Sequence, residues 1–125
     1  MSEKEKRFDL EDRLIDFAVL MCRIAEKLPP NRIGNHVAGQ LIRCGTSPAP
    51  NYGEAQSAES RKDFVHKMKV CLKELRETQV WLKFIKRMGL DASRELEPGL
   101  RESNELISIF VKSISTAQNT VRTKS

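Results

Sequence analysis

The sequence lacks the features that mark membrane, secreted and disulfide-linked proteins. Its 125 residues contain no apolar run of about 18 residues, the length that a membrane-spanning helix needs. The charged segment at the start of the chain has no apolar core of a signal peptide, so we expect a cytoplasmic protein with no membrane partner. The three cysteines form no CxxC pair and lie among apolar residues, which predicts reduced core side chains.

Residues that carry catalysis or hold a cofactor are also scarce. The two histidines, His36 and His66, have no companion at metal-ligand spacing, and no Glu-x-x-His pair is present for a di-iron site. There is no glycine-rich phosphate loop and no GxSxG nucleophile elbow. We therefore expect a protein that is not an enzyme and that uses neither a metal nor another cofactor.

The sequence does contain strong helical periodicity. Apolar residues recur at alternating steps of three and four in four stretches, and no stretch has the period of two that a strand requires. Four amphipathic helices with short connections predict an all-α fold, an antiparallel up-down four-helix bundle that forms a single domain over residues 1–125. The residues expected to face the core are Leu10, Leu14, Phe17, Met21, Ile24 and Leu28; Ile33, Val37, Leu41 and Cys44; Phe64, Met68, Cys71, Leu75, Thr78, Leu82 and Ile85; and Leu96, Leu100, Ser103, Ile107, Phe110, Ile114, Ala117 and Val121.

Polar and special residues predict the helix ends. Asp9 is expected to cap the first helix, Ser60 the third, and Asp91 or Ser93 the fourth. The first helix ends at a Pro-Pro-Asn turn, and a glycine ends the third. The second helix meets a GTSPAP run, which allows either two short helices with Ser47 as the cap or one kinked helix.

The third helix carries the excess positive charge of the chain. Residues 61–87 contain nine basic and three acidic residues, whereas the remainder contains 13 basic and 14 acidic residues. Such concentration suits a polyanion, so we predict that the lysines and arginines contact nucleic-acid phosphates; the alternative is a face that only keeps the protein solvated. This basic ridge, which lies opposite the core and is interrupted by Val80, consists of Lys62, His66, Lys69, Lys73, Arg76, Lys83 and Arg87.

Between the core stripe and the basic ridge, the third helix has additional apolar residues. Trp81, Phe84 and Met88 form this aromatic face, which a single four-helix core does not need. We predict that it is an oligomer contact, although a wide core stripe could also absorb it.

A set of polar residues is expected to link the second and third helices. Asn51 and Glu54 share one helical ridge beyond the GTSPAP run, and Glu54 can pair with Arg43 or Arg61. Glu77 can pair with Arg76, and Glu74 lies one turn away. We predict a structural polar network rather than a catalytic or metal site, and its members are Arg43, Asn51, Glu54, Glu74 and Glu77.

Residues 40–82 carry a specific combination of short motifs: QL.R and GTS, then N..EA, an aromatic residue about ten positions later, and E..ET..WL. In this combination the chain resembles the four-helix-bundle proteins encoded by intervening sequences in bacterial large-subunit ribosomal RNA genes, over a core of about residues 8–118. The matching residues are Gln40, Leu41, Arg43, Gly45, Thr46, Ser47, Asn51, Glu54, Ala55, Phe64, Glu74, Glu77, Thr78, Trp81 and Leu82.

The resemblance implies a ring-shaped homopentamer and a fold similar to the accessory protein of diversity-generating retroelements, which works with a reverse transcriptase and nucleic acid. The partners it implies are therefore RNA or DNA and a reverse transcriptase or other protein. It also implies that the second helix continues through Pro48 and Pro50, although these prolines and Gly53 depart from the usual pattern. The family has no established activity, so the resemblance predicts fold better than function.

Two functions remain open from the sequence. The first is a non-enzymatic oligomeric protein that binds the backbone of RNA or DNA through the basic ridge, with little base specificity because no aromatic residues are interleaved along it. The second is a structural or protein–protein interaction scaffold that uses Trp81 and Phe84 and binds no nucleic acid.

Overall fold

The computed structural model describes the backbone of residues 3–90 and 93–124 and the side chains of residues 10–90 and 93–119. Over this range the chain is all-helical and has no strand, as predicted. Because Ser47 alone separates two of the five helical segments, these two form one broken helix, and the described chain has four helices in all. The segments are α1 (Glu3–Glu26), α2 (Arg32–Thr46), α3 (Pro48–Gln56), α4 (Arg61–Met88) and α5 (Leu96–Lys124).

The break between α2 and α3 lies at the prolines of the GTSPAP run. Ser47 has helical dihedral angles, φ −73° and ψ −39°, so the backbone remains helical although Pro48 and Pro50 cannot donate hydrogen bonds. Of the two arrangements that the sequence leaves open, the structure has the single broken helix, and the Ser47 side chain makes no capping hydrogen bond. Its Oγ instead accepts a hydrogen bond of 2.9 Å from Asn51 Nδ2.

The turn between α1 and α2 depends on Asn31 and Gly34. The side-chain oxygen of Asn31 accepts a hydrogen bond of 2.8 Å from the Gly34 N–H and caps α2. Gly34 lies so close to the preceding turn that a β-carbon would stand 1.9 Å from the carbonyl oxygen of Pro29. Only glycine fits here without a shift of the backbone.

Both predicted ends of α4 are confirmed. Ser60 Oγ accepts a hydrogen bond of 3.0 Å from the Asp63 N–H, which caps the start of the helix. Gly89 adopts the left-handed conformation, with φ 65°, and closes the end of the helix.

The starts of α1 and α5 differ from the predictions. Helix α1 begins at Glu3, so Asp9 lies inside the helix and the prediction that it caps the first helix was wrong. Asp91 lies outside the described residues, and α5 begins at Leu96, beyond the position that Ser93 would cap.

The described members of the predicted stripes form the core with corrections at Ile33 and Leu106, and Val121 lies outside the side chains that the structure describes. Ile33 was expected to be buried but is 46% exposed, because the close packing of Gly34 on the α1–α2 turn rotates Ile33 outward. Leu106 of α5 was not predicted and is fully buried. The fully buried large side chains are Phe17, Phe110, Leu14, Met21, Ile24, Leu41, Met68, Leu75, Leu82, Ile85, Leu106 and Val37.

The helices surround this core in chain order. Helix α1 packs against α2, α3 and α5, and α4 packs against the same three segments. Helices α1 and α4 therefore lie diagonally across the core. This arrangement leaves one face of α4 turned outward.

The cysteines are free thiols at different depths. Cys44 and Cys71 are buried, as predicted, and burial raises the pKa of the Cys71 thiol to about 12 and also raises the pKa of Cys44. Cys22 is only half-buried, so the prediction of a core position holds for this residue only in part.

Candidate nucleic-acid interface

The buried stripe of α4 determines the direction in which the basic ridge points. Met68, Leu75 and Leu82 are buried in the core, so the opposite side of the helix faces solvent. All seven ridge residues are exposed. Within the described part of the chain, none of the six lysines and arginines of the ridge pairs with a carboxylate. The ridge therefore presents positive charge that these residues do not compensate.

Carboxylates close to α4 are bound by cations outside the ridge. Lys67 Nζ lies 3.2 Å from Glu54 Oε2 of α3, and Lys86 Nζ lies 2.8 Å from Glu97 Oε1 of α5. Because these ion pairs are exposed, each contributes little stability. Their effect on the ridge is electrostatic, because Lys67 and Lys86 neutralise Glu54 and Glu97, which then do not offset the charge of the ridge.

The basic ridge is long and nearly straight. Lys62 and Arg87 stand at opposite ends of α4, about 38 Å apart at 1.5 Å of rise per residue. The exposed side chain of His66 lies between Lys62 and Lys69, and Val80, which is 64% exposed, interrupts the charges between Arg76 and Lys83. A ridge of this form can contact several phosphates of one backbone at once.

The structure brings three members of the predicted polar network together. Arg43 of α2 binds Glu77 of α4, and its Nη1 lies 3.4 Å from Glu74 Oε2. Arg43 Nη2 also donates a hydrogen bond of 3.1 Å to Gln40 Oε1. This cluster joins the second and third predicted helices through ion pairs other than the predicted ones.

The other two members of the polar network lie elsewhere. Asn51 binds Ser47 on its own helix, and Glu54 binds Lys67 instead of the predicted Arg43 or Arg61. The predicted Glu77–Arg76 pair was also wrong. Arg76 belongs to the basic ridge, and the next residue on a helix is rotated by about 100°, which turns Glu77 toward α2.

The aromatic face lies where α4 packs against α2. Trp81 is half-buried on the core, and its ring contacts Phe84 and His36 edge-on, with centroids 5.6 Å and 5.9 Å away. Phe84 and Met88 are 38% and 46% exposed. Trp81 therefore contributes to the core while Phe84 and Met88 extend an apolar surface outward.

An apolar groove beside α1 was missed in the sequence. It runs between α1 and the α2–α3 break, has a volume of about 530 Å³, and includes Ile15, Val19 and Cys22. Ile15 and Val19 are 46% and 44% exposed. Their spacing provides a signal that could have revealed the groove, because Ile15, Val19 and Cys22 form a second stripe with steps of four and three beside the core stripe of α1.

The side chains that the structure describes contain no group of three His, Cys, Asp or Glu residues suited to a metal ion. Among the described helices, none is long and apolar enough to cross a membrane.

Fold and surface together define a class of all-α, four-helix protein with a basic outer ridge and a polar cluster between its second and third helices. The profile of the 23S rRNA-intervening sequence protein family matches residues 6–112. The chain belongs to this family. Several residues that carry the resemblance, including Gln40, Arg43, Glu74, Glu77 and Trp81, lie on the same α2–α4 surface.

A solved structure supports the same assignment. The chain is similar to a protein of unknown function from the S23 ribosomal protein family of Bacteroides thetaiotaomicron, with 30% sequence identity and a TM-score of 0.76. The similarity covers 83% of this chain and 96% of that one. A comparison with curated proteins finds no match.

Proposed function

We propose that this chain is a non-enzymatic, cytoplasmic protein that binds the backbone of RNA or DNA through the basic ridge of α4. The observation that carries the proposal is the set of six exposed lysines and arginines on one face, none of which pairs with a described carboxylate. A row of free cations attracts phosphates and releases their counterions, which makes binding favourable and salt-dependent.

The proposal includes an antiparallel up-down order of the helices, which keeps the ridge on the outside. Contacts between the helices support this order. Along α4 and α5, Gln79 Nε2 lies 2.6 Å from Asn104 Oδ1, and Lys86 lies near Glu97, so positions rise on one helix as they fall on the other. The pair Arg13–Glu102 between α1 and α5, and the pair Lys27–Glu95 one residue beyond the ends of these helices, follow the same trend.

We also propose that several copies assemble through the aromatic face, as a pentamer if the family resemblance extends to assembly. The exposed parts of Phe84 and Met88 support this contact, since apolar surface gains most from being covered by protein. An assembly would place several ridges side by side. Multiple weak contacts to one nucleic acid then add up to a higher overall affinity.

The second candidate function is a protein-interaction scaffold, in which the aromatic face binds a reverse transcriptase or another protein and the ridge only solvates the surface. The exposed Phe84 and Met88 favour this reading as much as they favour self-assembly. The two functions differ in what the ridge does. A nucleic-acid titration therefore separates them.

The test is a binding titration of the purified protein against structured RNA and against duplex DNA at several salt concentrations. Binding that weakens steeply with salt would support the basic ridge as the contact surface, because each neutralised phosphate contributes about −0.9 to the slope of log K against log salt for a duplex. Absence of binding at low salt would remove the nucleic-acid function and leave the scaffold.

A further inference from the structure

The basic ridge is one side chain wide. Its charges follow a single line from Lys62 to Arg87, about 38 Å long at 1.5 Å per residue. Beyond the first turn of α4, the charged residues of this helix that lie outside the line are in ion pairs: Lys67 with Glu54, Lys86 with Glu97, and both Glu74 and Glu77 with Arg43. Because Lys67 and Lys86 are neutralised by these pairs, they do not form a second row of free positive charge beside the basic ridge.

The rest of the bundle limits how α4 can approach a nucleic acid. The major groove of DNA is wide enough to admit an α-helix, but only if neighbouring parts of the protein leave that helix room to enter. Helix α4 is packed against α2, α3 and α5, and its buried stripe runs from Met68 to Ile85. Only the outer face is free, so phosphates have to meet the ridge from outside.

A straight ridge matches the two forms of nucleic acid differently. A strand in a duplex winds once around the axis in about 34–36 Å, which is less than the length of the ridge. A straight line of cations therefore follows such a strand over only part of its length. A single strand is flexible and can lie along the whole ridge.

We propose, on the basis of the proposed function, that the ridge is a site for one extended single strand, whose phosphates contact the cations from Lys62 to Arg87. The binding is independent of base and sugar. The nearest aromatic side chains, Trp81 and Phe84, lie toward α2 and contact each other, so no stacking platform accompanies the ridge. Single-stranded RNA and single-stranded DNA of the same length bind equally.

The experiment compares probes of one length with the full chain. The single strands are thymidine and uridine oligomers of about 12 nucleotides, which span the ridge at 3.4 Å or more per nucleotide, and the duplex is a DNA hairpin with a stem of the same length. Fluorescence anisotropy gives the affinity at each salt concentration. Six neutralised phosphates predict a slope of log K against log salt of about −4 for both single strands, and half that number of contacts predicts about −3 for the duplex.

A variant of the two ridge ends makes the test sharper. Lys62→Ala with Arg87→Ala removes two single-strand contacts and lowers the steepness of that slope by about 1.4, whereas the duplex slope stays unchanged. The matched control, Arg23→Ala with Lys112→Ala, removes the same two residue types from exposed positions on α1 and α5 and leaves both slopes unchanged.

The outcomes distinguish this inference from the function on which it rests. A duplex slope near −5 that also falls in the Lys62 and Arg87 variant would mean that a duplex occupies the whole ridge, which overturns the single-strand inference and leaves nucleic-acid binding intact. A clear difference between the uridine and thymidine oligomers would also overturn it. If none of the probes binds at low salt, the proposed function itself is wrong.

Discussion

A pair of glycine substitutions in α2 tests the turn that positions this helix. Glycine inside a helix normally costs about 0.5–1 kcal/mol relative to alanine, so replacing it with alanine should stabilise the protein. Gly39 is exposed in the middle of α2, and a β-carbon there would meet no other atom within 4 Å. Gly39→Ala should therefore raise the free energy of unfolding by about 0.5–1 kcal/mol.

Gly34→Ala in the same helix should have the opposite effect. Its β-carbon would stand 1.9 Å from the Pro29 carbonyl oxygen, which is a backbone atom and cannot move without changing the α1–α2 turn. Overpacking of this kind costs about 1–3 kcal/mol, which exceeds the gain in helix propensity. The expected net change is a loss of about 1–2 kcal/mol, or a Tm lowered by roughly 4–8 °C for a chain of this size.

Urea and thermal unfolding followed by circular dichroism measure both variants, at one protein concentration because self-association changes apparent stability. The ordering should be Gly39→Ala above the wild type and Gly34→Ala below it. If Gly34→Ala were as stable as Gly39→Ala, the close contact between α2 and Pro29 would be wrong, and with it the rotation of α2 that turns Ile33 outward.

The remaining predictions concern assembly and the thiols. Phe84→Ser should shift the mass measured by light scattering toward the monomer and weaken each contact about 3- to 7-fold, since full burial of a Phe side chain contributes about 1.5–3 kcal/mol and 38% of Phe84 is exposed for an interface to cover. Val111→Ser removes an equally exposed apolar residue from α5 and should leave the mass unchanged; an unchanged mass for Phe84→Ser would exclude this residue from the interface. A thiol reagent at neutral pH should modify Cys22 first, because burial raises the pKa of Cys44 and Cys71 and keeps both protonated; equal rates for all three in the folded protein would contradict their burial. Burial raises the pKa of Cys71 in the folded protein to about 12, above the ordinary value of 9.0. The contribution of this thiol to the free energy of unfolding is therefore complete below pH 9 and decreases at higher pH. Urea unfolding at pH 8 and at pH 10 would show the decrease.

The sequence predicted those parts of the fold that depend on one helix at a time. The core stripe of α4 from Met68 to Ile85 is buried, the basic ridge on its other side is exposed, and Ser60 and Gly89 bound the helix. Each of these follows from helical periodicity or from the local hydrogen bonds of a cap. The motif residues likewise led to the family that the profile match shows.

The parts that depend on how two helices pack could not be predicted. Glu77 of α4 binds Arg43 of α2. Neither the separation of these two residues in the sequence nor the helical periodicity of α4 indicates that they are partners. Ile33 fits the apolar period of α2 but is exposed, because Gly34 fixes the rotation of the helix through a contact with another turn. The apolar groove at Ile15 was overlooked because its residues adjoin the core stripe and were not needed to fill it.

The most direct test of the account is the affinity of Lys69→Glu with Lys73→Glu for RNA and DNA. These two exposed residues occupy the middle of the basic ridge and have no ion-pair partner among the described residues, so their reversal should leave the fold and the oligomeric mass unchanged. We expect at least a tenfold loss of affinity at low salt and a slope of log K against log salt that is shallower by about 2 for duplex DNA. The charge-matched control, Arg23→Glu with Lys112→Glu, should retain most of the binding. If the wild type binds nucleic acid and Lys69→Glu with Lys73→Glu binds it equally well, with the same salt slope, the basic ridge is not the contact surface.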